Sequence, residues 1–149
     1  MPSMDGRVAL VTGATCGIGK AVATALAREG ATVVVVGRSM ARVEEAMREI
    51  SAVVPTAKLE PLVCDLSLQA SILSAADEFR SRHGQLDLLV NSAGVFRKER
   101  HVTREGLELT FATNVMGYFL LTNLLVDALK RAATAGAGTP QPRRRSRAR

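Results

Sequence analysis

The stretch Thr12-Gly-Ala-Thr-Cys-Gly-Ile-Gly19 decides the fold of this chain. It follows a short apolar run at residues 7–12 and leads into residues 18–29, where apolar side chains recur at helical spacing. A glycine-rich turn between a buried strand and a helix offers free backbone amides and the positive end of the helix dipole to an anion. The stretch therefore predicts a strand, a phosphate-binding turn and a helix, in that order.

Each glycine of this turn has a separate predicted role. Gly13 permits the tight turn, Gly17 lets the backbone approach the phosphates of a dinucleotide, and Gly19 lets helix and strand pack closely. The spacing is G-x-x-x-G-x-G, and taken alone it is also compatible with a purely structural turn. The other residues of the turn predicted to contact a cofactor are Thr15, Cys16 and Ile18.

Strand and helix patterns alternate four times along the chain. The second strand has the clearest pattern, since residues 32–36 are Thr and Val only. The third contains Pro61, which lacks an amide hydrogen and suits a sheet edge or an early position in the strand. Short connections between the alternating elements predict a three-layer α/β fold, a doubly wound sheet of parallel strands. The predicted strands are residues 7–12, 32–36, 59–64 and 86–90, and the predicted helices are residues 18–29, the segment from a Ser39 cap to Pro55, the segment from a Ser67 cap to Gly84, and residues 103–131.

The basic character of the chain is confined to its last part. The net charge is +6, but residues 1–129 hold 13 Lys and Arg against 14 Asp and Glu, whereas residues 130–149 hold seven basic residues and no acid. Residues 132–149 also lack apolar periodicity, which predicts a disordered basic tail after a domain of residues 1–131. The Arg143-Arg-Arg-Ser-Arg run leaves open an alternative function, a binding module that its basic tail recruits to a partner. We do not expect that partner to be a nucleic acid, because no aromatic residue lies among the arginines.

Composition argues against several other kinds of site. Cys16 and Cys64 have no spacing typical of a metal site or a disulfide framework, so no metal is predicted. No run of about 18 apolar residues predicts a membrane span, and no charged and then apolar leader opens the sequence. We therefore expect a cytoplasmic protein that does not bind a membrane.

Further motifs follow the later strands at ordered positions. They are Asp65-Leu66, Asn91-Ser-Ala-Gly94, and Asn114 within Phe-Ala-Thr-Asn-Val-Met-Gly-Tyr-Phe. Together with the glycine turn they resemble the short-chain dehydrogenase/reductase family over residues 5 to about 130. The segment that begins at Thr103 is most similar to the retinol-dehydrogenase-like branch of that family. The resemblance implies a Rossmann-like domain that binds a nicotinamide dinucleotide.

The resemblance also implies roles for residues after the third and fourth strands. Asp65 would accept a hydrogen bond from the adenine amino group, with the Leu66 amide nearby, although the carboxylate could instead cap the helix that follows. Asn91, Ala93 and Gly94 would lie beside the ribose and the nicotinamide. Between them, Ser92 occupies a position where the family usually has a second asparagine.

Arg38 decides between the two nicotinamide cofactors. NAD-selective sites place an acidic residue at the end of the second strand, where its carboxylate binds the ribose 2′-hydroxyl. Here the second strand ends in Gly37-Arg38-Ser39, and a guanidinium suits a 2′-phosphate. The sequence therefore predicts NADP rather than NAD, unless Arg38 is a solvated surface charge.

The resemblance implies a catalytic tetrad of Asn, Ser, Tyr and Lys, of which Asn114 is the one recognisable member. The only tyrosine, Tyr118, is followed four residues later by Thr122 and not by lysine. We therefore expect the amino-terminal half of an oxidoreductase for small carbonyl or alcohol substrates, truncated after the fourth strand and a long helix and inactive alone. A second possibility stays open, in which this chain assembles with a separately encoded second half to form an active enzyme.

A strand edge and an apolar helix predict self-association. Residues 86–90 would leave one row of backbone amides and carbonyls unpaired, because the family places this strand in the middle of its sheet. The helix that follows is apolar over much of its circumference from Leu107 to Leu129. We expect this chain to pair with a partner through these two surfaces.

Overall fold

A computed structural model describes residues 3–136, and these residues form a parallel sheet with the strand order β3-β2-β1-β4. The predicted three-layer, doubly wound Rossmann-like fold is confirmed, and the proline-containing third strand lies at an edge as predicted. The strands are β1 (Val8–Thr12), β2 (Thr32–Gly37), β3 (Lys58–Val63) and β4 (Leu88–Val90), and the first three helices are α1 (Gly17–Arg28), α2 (Met40–Val53) and α3 (Gln69–Arg82).

The alternating faces of β2 build two separate cores. Val33 and Val35 pack with buried residues of α1 and α2, whereas Val34 and Val36 pack with buried residues of α3 and of the long helix that follows β4. All four valines are 2% exposed or less, as expected for a strand covered by helices on both sides. The run of β-branched residues therefore forms the centre of the domain.

The buried face of α1 differs from the prediction. Helical spacing predicts one apolar face of Ile18, Val22, Ala25 and Leu26, but within it Ile18 and Ala25 are exposed, Ile18 to 79%. The face that packs on the sheet consists of Gly19, Ala23 and the Leu26-Ala27 pair. Small residues form this face because α1 lies close to the sheet, and Ile18 is left at the open end of the helix.

The start of α3 corrects a second prediction. Ser39 caps α2 as predicted, since its Oγ accepts a hydrogen bond from the Arg42 amide at 3.4 Å. Ser67 does not cap α3, which begins two residues later at Gln69. Both the amide and the hydroxyl of Ser67 donate to Asp65 Oδ1, at 2.9 and 2.7 Å. The serine therefore serves the turn before the helix.

The long helix, α4, begins later than predicted. It starts with Leu109–Phe111 in α-helical geometry, passes through a π-helical segment at Ala112–Met116 and continues as an α-helix over Gly117–Gly136. Glu108 caps it by accepting hydrogen bonds from the amides of the first turn, and these bonds lower the pKa of the Glu108 carboxyl. The predicted start at Thr103 is wrong because Gly106 has a φ of +81°, which turns the chain before the helix.

The carboxyl end of α4 extends five residues beyond the predicted domain boundary of 131. Ala132 is buried, and alanine favours a helix. Residues 132–136 therefore extend α4. The rest of the predicted basic tail, residues 137–149, lies outside the described residues. Leu109–Ala135 is also long and apolar enough to cross a membrane by length and composition, a property that the prediction missed and that helices of soluble cores share.

Candidate functional site

The order of the strands opens a cleft beside β1. The chain runs from β1 through β2 to β3 toward one edge, and β4 then pairs on the other side of β1. Ligands of open α/β sheets bind at such a reversal, beyond the carboxyl ends of the strands. A cleft of about 380 Å³ lies there. Eleven of the twelve residues predicted to bind a cofactor line it: Gly13, Thr15, Cys16, Gly17, Ile18, Gly19, Arg38, Asp65, Leu66, Ala93 and Gly94.

The glycine turn forms one wall of the cleft, and each glycine is required for a different reason. Gly13 has a φ of +65°, and a Cβ there would lie 2.6 Å from the Ala93 Cα. Gly17 has a φ of +54° and faces open space. A Cβ on Gly19 would overlap the carbonyl group of Gly13. The turn is therefore a close-packed backbone surface with its middle open to the cleft, which fits a phosphate group.

Thr12 connects the glycine turn to the segment after β4. Its side chain is fully buried, and its Oγ1 accepts hydrogen bonds from the amides of Ser92 at 2.9 Å and Ala93 at 3.1 Å. The same hydroxyl donates to the Val90 carbonyl at 3.3 Å. One buried hydroxyl thus sets the separation between the two walls of the cleft.

Asp65 lines the cleft and also organises the turn that precedes α3. Its Oδ1 accepts from the amide and the hydroxyl of Ser67, and its own amide donates to Ser71 Oγ at 2.9 Å. These bonds hold the carboxylate at the carboxyl end of β3, where it lines the cleft. The predicted alternative, a carboxylate that caps the following helix, is wrong, because Asp65 bonds within the turn and α3 begins at Gln69 without a side-chain cap.

Arg38 follows β2 directly and lies exposed at the cleft. Gly37 before it is buried, and a Cβ there would lie 2.5 Å from the Thr15 methyl group, so the end of β2 packs tightly on the glycine turn. Arg42, in the first turn of α2, lines the same part of the cleft. This end of the cleft therefore carries two guanidinium groups.

The two predicted asparagines do not line the cleft. Asn114 lies in the π-helical segment and makes two hydrogen bonds with the backbone of Val95, accepting from its amide and donating to its carbonyl, both at 2.9 Å. Val95 itself lines the cleft, so Asn114 holds the backbone of this wall in position without lining the cleft. Asn91 is the one predicted cofactor residue outside the cleft lining, because its Nδ2 donates to Thr122 Oγ1 on α4 at 3.1 Å.

Burial shifts the pKa of two other reactive side chains upward. Tyr118 packs against the core between the sheet and α4, and burial raises the pKa of its phenol. Burial also raises the pKa of the Cys64 thiol to about 12, and the neighbouring Asp65 acts in the same direction. Within residues 3–136, no group of three or more metal-ligating side chains lies together.

Sequence reasoning missed several residues of the cleft. Arg42 stands four residues after Arg38 at the start of a predicted helix, and this spacing could have identified it. The signal for Thr12 was weaker, because it is only a polar residue at the end of a buried strand. Its hydrogen-bond partners lie about 80 residues away in the sequence. The other lining residues that were not predicted are Val36, Gly37, Cys64, Ser67, Ser92, Val95, Leu109 and Thr113.

Comparison with curated proteins finds dehydrogenases. Human polyprenol dehydrogenase is 38% identical over 135 residues, which cover 91% of this chain and 41% of that protein. Mouse retinol dehydrogenase 11 is 40% identical over 130 residues, which cover 87% of this chain and 41% of that protein. These relatives confirm the resemblance to the retinol-dehydrogenase-like branch. The chain spans about two fifths of the length of the curated relatives it matches.

Solved structures share the fold at similar levels of identity. A complex of Pseudomonas aeruginosa RhlG with NADP has a TM-score of 0.74 and 30% identity, covering 87% of this chain and 50% of that one. A metagenomic short-chain oxidoreductase in complex with NADP has a TM-score of 0.72 and 33% identity, covering 86% and 58%. The family model for short chain dehydrogenases matches residues 7–138. This chain therefore belongs to the short chain dehydrogenase family.

Proposed function

We propose that these 149 residues are the cofactor-binding part of an NADP-dependent short-chain oxidoreductase that acts on carbonyl or alcohol substrates. The observation that carries this proposal is the cleft at the carboxyl ends of β1 and β4, with the glycine turn on one side and Arg38 at one end. We further propose that the 149-residue chain binds the cofactor and reduces nothing by itself. We place it in the cytoplasm.

The backbone of the glycine turn supports binding of a dinucleotide. Gly17 opens toward the cleft at the start of α1, whose amino-terminal amides and dipole favour a pyrophosphate. Asp65 would accept from the adenine amino group, since its Oδ1 is used in the turn and Oδ2 has no hydrogen bond within the described residues. Ala93 and Gly94, on the wall after β4, would border the ribose and nicotinamide.

Selectivity for NADP follows from the charge at the end of β2. An NAD site needs a carboxylate there, and this chain has Arg38 instead. Within the described residues, Arg38 makes no ion pair, so its guanidinium is available to a 2′-phosphate. The related structures that hold NADP support the same choice.

The proposed lack of turnover rests on the missing proton donor. When bound, NADPH supplies a hydride, and a carbonyl that accepts it also needs a proton from a positioned acid. The only tyrosine, Tyr118, is partly buried against the core, and burial raises the pKa of its phenol, opposite to the shift that a proton-donating tyrosine requires. Asn114, the recognisable tetrad residue, is engaged with the Val95 backbone. The chain's residues can therefore bind and orient a cofactor without completing the reduction.

A titration combined with a turnover assay tests this proposal. We expect the 149-residue chain to bind NADPH saturably, with at least about tenfold weaker binding of NADH because a charge-assisted contact to the 2′-phosphate is lost. We also expect no oxidation of NADPH above background with short aldehydes and ketones. Nicotinamide fluorescence reports binding, and absorbance of the reduced ring reports turnover.

Two results would contradict the proposal in different ways. Equal affinity for NADH and NADPH would contradict the assignment of NADP as the preferred cofactor. Steady turnover that disappears in Asn114→Ala would show that the chain is itself a working enzyme. The matched control is Asn123→Ala, because Asn123 lies on the same helix and, among residues 3–136, its side chain bonds within that helix, donating to the Phe119 carbonyl.

We also propose that the chain self-associates through the outer face of α4. Phe111, Val115 and Phe119 are 47%, 50% and 64% exposed, and they lie one helical turn apart. In addition, β4 is hydrogen-bonded on one side only within residues 3–136, to β1. An exposed apolar stripe and an open strand edge each favour pairing with another copy.

Sedimentation velocity tests self-association. We expect the sedimentation coefficient to rise with concentration in the micromolar range and to fall toward the monomer value in the Phe111→Ser, Phe119→Ser double variant. Val53→Ser removes a side chain of similar exposure, 59%, at the end of α2 and serves as the control. A monomer at all concentrations, or an equal effect of Val53→Ser, would reject this surface.

A further inference from the structure

A loop that the proposed function does not use lies between β4 and α4. We call residues 96–104 the basic loop, and its first seven residues are all exposed. Phe96 is 81% exposed and Val102 is 54% exposed, so two large apolar side chains face solvent. The loop also carries four cations: Arg97, Lys98, Arg100 and Arg104. Exposed apolar side chains and positive charge thus occur together on one short segment.

Hydrogen bonds to the start of α4 hold the basic loop at both ends. Before the loop, the amide and the carbonyl of Val95 each bond to the Asn114 side chain at 2.9 Å. Within its second half, the His101 carbonyl accepts from the Leu109 amide at 2.8 Å. The exposed residues between these two points therefore protrude from a base that is kept in place.

The positive charge of the basic loop is local. The loop holds four Lys and Arg against Glu99, whereas the other described residues hold 11 Lys and Arg against 13 Asp and Glu. Two acids lie at the end of the loop and just after it, but their carboxylates accept from backbone amides, Glu105 from Gln69 and Glu108 from the first turn of α4. Among residues 3–136, none of the four cations has a carboxylate within 4.0 Å.

We propose that the basic loop docks on an anionic lipid surface, with Phe96 inserted among the lipids and the cations at the headgroups. The negative potential of the cytoplasmic leaflet attracts cations, and insertion of an aromatic side chain removes apolar area from water. Single-stranded nucleic acid is bound in grooves, whereas this loop protrudes and suits a flat surface. This inference does not depend on the proposed cofactor.

The proposal goes beyond the composition of the chain, which argued against a membrane-spanning segment and a leader. A loop that binds the surface of a membrane is neither of these, and its signal is the exposure of Phe96 beside unpaired cations. Attachment to the cytoplasmic leaflet agrees with a cytoplasmic protein.

A tryptophan placed in the loop tests this contact directly, because the chain contains no tryptophan. The full chain carrying Phe96→Trp is mixed with phosphatidylcholine vesicles that contain phosphatidylserine, at a concentration where sedimentation velocity shows a monomer. We expect its emission to shift to shorter wavelength and to be quenched by bromine-labelled lipid, with neither effect on pure phosphatidylcholine vesicles. Val53→Trp is the control, because Val53 is 59% exposed at the end of α2, and it should show no shift.

Co-sedimentation with the same vesicles measures what the loop side chains contribute. The loop variant replaces three cations by glutamine: Arg97→Gln, Lys98→Gln and Arg100→Gln. The control variant does the same to three exposed cations elsewhere: Arg28→Gln, Arg48→Gln and Lys58→Gln. Binding should weaken about a hundredfold in the loop variant and less than about threefold in the control, which has the same net charge. Phe96→Ser should weaken binding about tenfold.

Three results would overturn the proposal. Vesicle binding without a change in the emission of the Phe96→Trp variant would assign the attraction to other basic residues. Equal losses in the two triple variants would show that net charge matters and the loop does not. Binding of an oligonucleotide that the loop variant loses, with no binding of vesicles, would assign the loop to nucleic acid. The cofactor cleft is tested separately, because Phe96 does not line it and NADPH affinity should be unchanged in Phe96→Ser.

Discussion

Replacing Thr12 by valine is expected to lower the free energy of unfolding by about 2–4 kcal/mol. The change keeps the shape of the side chain but removes the hydroxyl that accepts from the Ser92 and Ala93 amides and donates to Val90. These backbone groups would then lack a partner in a part-buried position, which costs about 1–3 kcal/mol for each group that water does not reach. Urea denaturation monitored by circular dichroism measures the loss.

Two variants give this prediction its controls. Thr12→Ser keeps the hydroxyl and loses one methyl group, so it should cost about 1 kcal/mol. Thr24→Val removes a hydroxyl that only donates within α1, to the Lys20 carbonyl, and should have a small effect. If Thr12→Val were no more destabilising than Thr24→Val, the hydroxyl would not hold the two walls of the cleft together.

Gly19→Ala is expected to have an effect of similar size on stability and a larger one on cofactor binding. The new Cβ would overlap the Gly13 carbonyl group and lie 3.2 Å from the Ala14 nitrogen, and backbone atoms cannot rotate away. Overpacking of this kind costs about 1–3 kcal/mol and moves the start of α1 away from β1. Because the amides of that first turn are proposed to bind the pyrophosphate, NADPH affinity should fall more than tenfold.

Gly84→Ala is the matched control for this prediction. A Cβ at Gly84 meets no atom within 4 Å, and the residue has no positive φ, so the substitution should be nearly neutral for stability and for NADPH affinity. Titration with NADPH by fluorescence, alongside urea denaturation, separates the two effects. Wild-type affinity in Gly19→Ala would mean that the close approach of α1 to the glycine turn does not matter for the site.

The fold could be predicted because its signals are local. The run of valines in β2 and the glycine turn after β1 each predict their local structure from a few neighbouring residues. The alternation of strands with helices then restricts the topology of the sheet. The start of α4 was mispredicted for a local reason as well. The sequence pattern predicts a helix start at Thr103, but the Thr103 Oγ1 accepts from the Leu107 amide in a turn that Gly106 permits, and Glu108 caps the helix.

The residues of the candidate site could be predicted where a single sequence motif fixes both their position and their role. Gly13, Gly17 and Gly19 lie in a single turn, and their positions follow from its geometry. Thr12 escaped prediction because its hydrogen-bond partners follow a strand almost 80 residues later. Asn91 was predicted beside the ribose and nicotinamide from the family resemblance, but its side chain donates to a hydroxyl on α4. Such long-range pairings have no signature in a single sequence.

Hydrogen–deuterium exchange of the 149-residue chain, with and without saturating NADPH, tests the central claim most directly. Binding at the cleft should slow exchange in the glycine turn at residues 12–19, from the end of β2 into the first turn of α2 at residues 37–42, and after β4 at residues 92–95, because the ligand would cover those amides. Exchange at the opposite end of the sheet, around Gly6 and Gln85, should stay unchanged. Protection at that opposite end, or none in the glycine turn at saturating NADPH, would contradict the claim that this chain carries a dinucleotide site.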